Sequence, residues 1–410
     1  MATPVVVLNM HYSGLGIARS LAPHGIPVYG LSAYSDFPGS SSRYCRFVRS
    51  PDTLHQPDEM LAFLLRFASR LSSQPILLPT RDHDIEFLLS HREELEQCYT
   101  IPLASRDVIK RTMNKEDCAA IAQSCGVSVP KSFTVNDEHG LQALRGKLVF
   151  PAIVKPLYAH QWRRPGIWQA VRQQKAIRVD RFDELAEVYR RVSPFEATAV
   201  VQQYIPGPDS SLLVFGSYCR PGGEVRAYFT GRKLLQVPPL RGTGVIVEGL
   251  PLPEVVEPSR TLLRALDFRG MSEIEYKRHA VNGDLYLIEI NPRHWDQHEL
   301  GTICGVNLSL ELYRDLTDRS RLQRDSSRPP PTQRVDSVRW IAERELLHYA
   351  ISAIPAGETS IAELRTLMRR PRRYAVCDAA DPLPGARNLL HVARDVARRV
   401  ANRQGRRTVE

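Results

Sequence analysis

The chain has no stretch of eighteen apolar residues, so no membrane-spanning helix is expected. Its start, MATPVVVLNMHYSG, lacks the basic segment and long apolar core of a secretory leader. The seven cysteines (45, 98, 118, 125, 219, 304 and 377) are odd in number and include no C-x-x-C, which excludes a disulfide framework and a structural zinc site. Reduced thiols and a cytoplasmic location are the expectation. A third glycine is also missing. Gly14-Leu15-Gly16 follows an apolar run, but Arg19 stands where a dinucleotide fingerprint needs glycine, so the pair is expected to make a tight turn.

What is present is ordinary globular composition: 410 residues, 43% hydrophobic and 24% charged, enough for two or three domains with a sizeable core. The net charge of +10 is unevenly placed, since residues 365–407 hold twelve Arg against three Asp. The basic balance therefore belongs to the tail and says little about the body. Residues 4–110 alternate strand and helix signals: Val5–Leu8, a helix to about His24, Ile26–Leu31, a helix near 57–72, then Pro75–Pro79 ending at Thr80-Arg81-Asp82. That βαβ pattern predicts an open parallel sheet, with small ligands at the carboxyl ends of its strands.

Residues 271–293, MSEIEYKRHAVNGDLYLIEINPR, carry the sharpest functional signal. They read as two alternating strands around Asn282-Gly283. Glu273, Glu275 and Lys277 share a face of the first strand. In the second, Tyr286, Ile288 and Ile290 take one face and Leu285, Leu287, Glu289 and Asn291 the other. A two-residue loop would put Glu275 and Glu289 on opposite faces. A three-residue loop with Gly283 in the left-handed conformation sets them opposite each other, Cβ atoms about 5 Å apart. Two carboxylates that close call for a hard divalent cation, and Asn291 adds a neutral oxygen. Few oxygen ligands, with room left for phosphate, is how Mg²⁺ is usually held.

Glu275, a step of fourteen residues to Glu289, then Asn291 and Arg293 in EINPR, resembles the metal-binding end of the ATP-grasp superfamily. The resemblance implies ATP and Mg²⁺ (or Mn²⁺) as cofactors, Glu275, Glu289 and Asn291 as metal ligands, and Arg293 as the cation that steadies an acyl phosphate. It extends to NK followed by a helix with a Gly stop at 126, G-V-x-V-P at 126–130 and FPAIVKP at 150–156, implying Lys115 and Lys155 as the phosphate and adenine lysines. A lysine ending a buried strand needs an anion in any case. In AVVQQYIPGPD (199–209) the resemblance implies Gln202 and Gln203 beside the adenine, Ile205 on its face and Asp209 on the ribose. Relatives more often carry Glu at 202 or 203. Lys233 and Arg241 would face the triphosphate from the next strand.

The segment 158–175 departs from the family pattern. Where relatives carry a glycine-rich lid, this chain has one glycine, Gly166, with His160, Arg163, Arg164 and two tryptophans. Its arginines fit a grip on phosphates, a hold on an anionic substrate, or a solvated basic loop equally well. His294, Asp296 and His298 follow Arg293. Their spacing matches no transition-metal geometry. They are read as acceptor-site residues between the N-terminal domain and the Arg293 loop, with Asp296 holding an ammonium group and His294 accepting the proton lost as the amine attacks.

The sequence thus predicts an α/β protein. It has an open parallel N-terminal domain (1–110), a two-lobed ATP-grasp catalytic domain (111–196 and 197–318), then a Pro linker and basic helical region (319–410). The function expected is an ATP-dependent carboxylate–amine ligase working through an acyl phosphate, on small-molecule carboxylate and amine substrates, with a homodimer left open. A nucleotide-binding regulatory or scaffold protein on a degenerate fold, and a carboxylase or kinase using the same lobes, are the alternatives. In 388–402, Leu389, Val392, Ala393, Val396 and Val400 form an apolar stripe opposite arginines. Packing of that stripe on the body is favoured over membrane or nucleic-acid contact.

Overall fold

The computed structural model describes residues 2–158, 161–163, 166–195, 198–240, 242–318, 330–334, 337–369 and 371–407. His160, Arg164 and Arg241, singled out above, lie outside the described residues, as does Pro329.

Three sheets organise the chain. β1 (Val5–Leu8), β2 (Val28–Ser32), β3 (Arg46–Arg49) and β4 (Ile76–Leu78) form the expected parallel sheet in the order β3-β2-β1-β4. Val5 and Val7 face one hydrophobic core and Val6 and Leu8 another, which is why β1 is a continuous apolar run. The glycine pair is not a turn. Gly14 and Gly16 lie inside the helix Tyr12–Leu21, where an added Cβ would come within 2.3 Å of the Asn9 carbonyl oxygen and 2.8 Å of the His298 ring. Both are close-approach glycines: Gly14 makes room for the Asn9–Met10 backbone turn into the helix, and Gly16 lets the helix seat against His298.

β5 (Ser132–Val135), β6 (Ala152–Pro156), β7 (Ile177–Val179) and β8 (Ala199–Gln203) make a small antiparallel sheet, order β5-β8-β6-β7. The helix Phe182–Val192 covers it through Leu185, Val188 and Val192. Trp162, in the loop with no glycine-rich lid, is fully buried in the same core.

β9 (Leu212–Arg220), β10 (Glu224–Val237), β11 (Thr243–Gly249), β12 (Gly270–Arg278) and β13 (Leu285–Asn291) form the larger sheet. The C-terminal region, expected to be linker and helices, adds two strands to it: β14 (Val338–Ile341) against β11, and β15 (Arg372–Tyr374) parallel to β14. The same region is pinned to the N-terminal domain. Asp381, fully buried, accepts from Arg19 Nε (3.2 Å), Ser42 Oγ (2.7 Å) and the Arg43 backbone N–H (3.0 Å). Arg19, the residue that broke the glycine fingerprint, anchors the tail. A last helix, Pro382–Arg407, lies by its start on the turn Pro38–Ser41. Of the stripe read from the sequence, Val392 is buried while Leu389 and Ala393 are exposed, and the side chains of Val396 and Val400 lie outside the described residues; Asn388 is buried beside Val392 and Leu390 is exposed.

Candidate active site

The hairpin β12–β13 supplies the acids. Glu275 pairs with Glu289, and Glu273 with Asn291. The route to this register differs from the one expected. The His279 backbone N–H donates to the Asp284 carbonyl (2.8 Å) and the Gly283 N–H to the His279 carbonyl (3.0 Å), with Gly283 at φ +78, so the loop spans 280–283. A bulge then restores the pairing, because Tyr276 faces Leu287 while Glu275 faces Glu289. Its cause is the Leu287 N–H, which leaves the ladder to donate to the Ser128 carbonyl at 2.9 Å. The bulge also corrects the expected faces. Leu287 and Ile290 now enter one core together, and Glu289 is freed from apolar neighbours to face a cleft with Ile288 and Asn291.

That cleft runs between the two lobes and the N-terminal domain. Lys115, Lys155, Gln202, Gln203, Ile205, Lys233, Glu275, Glu289, Asn291 and Arg293 all line it. Its two ends follow from β12. Lys277 Nζ donates to the Gly207 carbonyl (3.0 Å) and the Pro208 carbonyl (3.2 Å), placing one end beside Tyr204 and Ile205. Glu273 marks the other, beside Arg293, whose Nε donates to Asp82 Oδ1 at 2.6 Å. There Asp296 Oδ1 accepts from Arg81 Nη1 (3.2 Å) and Ser13 Oγ (2.9 Å).

The charges are under tension. Burial, and then Glu275, push Glu273 up to about 8. Burial raises Glu275 despite Lys233, whose Nζ sits 2.5 Å from its Oε1. Asn291 Nδ2 bridges Glu273 Oε2 (3.0 Å) and Glu289 Oε1 (3.3 Å). Burial acts to raise Glu289, but the surrounding lysines outweigh it and hold it below the usual range. On the opposite wall, burial and Lys115 push Lys155 down to about 7, and burial lowers Lys115. One wall is short of cations and the other of anions. Among the described residues no three His, Cys, Asp or Glu converge as a ready metal cage. Two facing carboxylates opposite lysines fit Mg²⁺ that is completed by phosphate oxygens; the Asn291 oxygen, which accepts from Arg293 Nη2 (3.4 Å), joins them only if the amide turns over.

Two predicted site residues, Asp209 and His294, do not line the cleft. The Asp209 carboxylate accepts the backbone N–H groups of Gln236 (2.6 Å) and Leu240 (2.7 Å), and so shapes the loop after β10. His294 is turned away as well. It is 1% exposed, pairs through Nε2 with Ser309 Oγ at 3.1 Å, and packs edge-on to His298. Burial, then His298, keep it neutral, well below its ordinary range. Asp296 does reach the cleft, as do Trp295 and Gln297. Residues the sequence reading left without a role also face it: Glu273 and Lys277, signalled by alternation along β12, and Lys175 and Gln236, which had no signal. Arg163 is described in backbone only.

No family model matches the chain. It is 23% identical over 325 residues to D-aspartate ligase of Enterococcus faecium, covering 76% of each chain. Among solved structures it resembles L-amino acid ligase from Bacillus licheniformis (TM-score 0.60, 18% identity, 82% of this chain and 78% of that one). It also resembles the biotin carboxylase domain of Hydrogenobacter thermophilus 2-oxoglutarate carboxylase, solved with MgADP (TM-score 0.57, 16% identity, 77% and 69%). Fold, facing acids and these likenesses agree: the chain has the fold of the ATP-grasp ligases and is similar to D-aspartate ligase.

Proposed function

We propose that the chain is an ATP-dependent carboxylate–amine ligase whose active site is the cleft over β12–β13. The carrying observation is that Glu275 faces Glu289 on the cleft floor while Lys115, Lys155, Lys233 and Arg293 surround them. In this reading a substrate carboxylate oxygen attacks the γ-phosphorus of ATP, ADP leaves, and an acyl phosphate forms. An amine then attacks the acyl carbon. The C–O bond to phosphate breaks, and an amide, inorganic phosphate and a proton are released.

Mg²⁺, held by Glu275, Glu289 and Asn291, would neutralise phosphate charge; the same oxygen set accepts Mn²⁺. The likeness to a structure solved with MgADP supports the metal. Lys115, Lys155 and Lys233 take the phosphates. Gln202, Gln203 and Ile205, at the Lys277 end, take the base. Arg293, tied to Asp82, orients the reacting carboxyl. Asp296 is held ionised, since Arg81, His11 and Ser13 outweigh the effect of burial; it therefore suits an ammonium group and not proton abstraction. The division at residues 110 and 318 is retained, with β14 and β15 as late additions to the catalytic sheet. No helix of the described residues is long and apolar enough to cross a membrane, and the seven free thiols support a cytoplasmic setting.

The test is an ADP-release screen over pooled carboxylates and amino compounds with Mg²⁺. ADP appearing only when an acid and an amine are both present is the expected result. ADP release with an acid alone or with bicarbonate would favour a kinase or carboxylase. Nucleotide binding without turnover under any pool would favour the scaffold alternative.

A further inference from the structure

The helix Pro382–Arg407 presents two faces that the catalytic body does not explain. Its inner face is settled: Asn388 and Val392 are buried, and Asp381 just before it is clamped by Arg19, Ser42 and the Arg43 backbone. Its outer face is apolar where water should favour polar groups. Leu383, Leu389 and Leu390 are 50%, 60% and 59% exposed, and Ala393 is exposed beside them. In the sequence, Val396, Ala397 and Val400 continue from Ala393 at steps of three and four residues. Arginines flank this run. Residues 387–407 contain seven Arg and a single acid, Asp395, a net charge of +6. No aromatic residue interrupts them.

We propose that this helix docks the enzyme on an anionic lipid surface, lying in the interface with Leu389 and Leu390 turned into the acyl boundary and its arginines on lipid phosphates. An apolar strip bordered by cations on a helix of low overall hydrophobicity is the pattern of interfacial binding and not of spanning. The charge selects the partner. A surface of net negative headgroups complements +6, and each arginine near such a surface strengthens binding roughly fivefold. A nucleic acid would use the arginines but gain nothing from exposed leucines, and base stacking would want aromatics, which are missing. The buried Asn388–Val392 side keeps the helix attached to the body, so docking needs no unfolding of the sheet.

The experiment is co-sedimentation of the full chain with vesicles of phosphatidylcholine alone and of phosphatidylcholine with phosphatidylglycerol. Binding to the anionic vesicles, falling with salt and absent from neutral ones, is expected. Leu389→Ser/Leu390→Ser should weaken it about tenfold, and Arg387→Gln/Arg394→Gln about 30-fold. All four residues are exposed and stand outside the buried Asn388–Val392 side, and thermal melts and ATP affinity should stay as in the unaltered chain. Equal binding to both vesicles, or none, overturns the proposal. So does binding to duplex DNA or RNA that needs the arginines but not the leucines, which makes the tail a nucleic-acid arm. A dimer lost in Leu389→Ser/Leu390→Ser without any vesicle binding overturns it too, in favour of a second copy of the chain.

Discussion

The strands of residues 270–291 and the loop of residues 294–298 are neighbours, and both are rich in groups that do chemistry. They use them in opposite ways. Along β12, Glu273, Glu275 and Lys277 all reach the cleft, because a strand sends every second side chain to one side whatever surrounds it. In the loop no such rule holds. His294 and His298 turn inward, to Ser309 and to the Trp295 carbonyl, while Asp296 between them reaches Arg81. Function is legible where the backbone dictates direction, and it is not where packing partners do.

The comparison breaks most visibly at Glu289. Glu289→Gln should lower Mg²⁺-dependent ADP formation by at least about 100-fold, the scale on which loss of one charge-stabilising group is felt. The melting temperature should hold or fall slightly, since the lysines that keep Glu289 ionised lose a partner while Glu275 loses a like charge. A variant that unfolds yet keeps a normal rate in its folded fraction would make Glu289 structural.

Lys155→Met should weaken ATP binding about tenfold or more, the scale of one charge-assisted hydrogen bond, measured by calorimetry. Unchanged affinity would remove Lys155 from the nucleotide site. The same residue predicts a pH effect. Burial, then Lys115, depress Lys155 from an ordinary 10.5 to about 7. Between those values the unfolded chain binds more protons than the folded one, so stability rises with pH across that window. Lys115 and Lys277, also lowered by burial, add slope of the same sign. Glu273 and the buried thiols, raised by burial, act with the opposite sign, so the readout is the difference: between about pH 7 and 9 the melting temperature of the nucleotide-free protein should gain on that of Lys155→Met. Parallel profiles for the two proteins would contradict this assignment.

His294→Ala sharpens the loop side. Loss of a buried hydrogen-bonded ring should destabilise by about 2 kcal/mol, read by denaturant unfolding, with the amine-dependent rate of the folded enzyme unchanged. Full stability with slowed amine turnover would return His294 to the chemistry. The smallest effect is expected for Asp209→Asn. One amide oxygen would replace two carboxylate acceptors for the Gln236 and Leu240 N–H groups, costing about 1 kcal/mol. A change in ATP affinity with no loss of stability would restore the ribose role.

The parallel sheet was legible because continuous apolar runs at helix-separated intervals have few other solutions; β1 matches residue for residue. The facing acids were legible from period-two alternation. The bulge that brings them opposite was not, since it depends on a Ser128 carbonyl from a distant segment capturing the Leu287 N–H. Asp209 illustrates the same limit: a carboxylate after a Pro-Gly turn reads alike whether it meets a ribose or two backbone donors. β14 and β15 are four and three residues long in an arginine-rich context, and only pairing makes them strands, β14 on β11 and β15 on β14.

Those two short strands decide where this enzyme can be cut. β11 offers its outer row of backbone groups, from Ile246 to Gly249, to β14. A version ending at residue 318 would keep every group assigned to the cleft and still leave that row open, an invitation to strand-by-strand association between copies. The homologous core is therefore not the minimal stable unit. Shortening from the C-terminus should turn into aggregation once Asp381, β15 or β14 is lost.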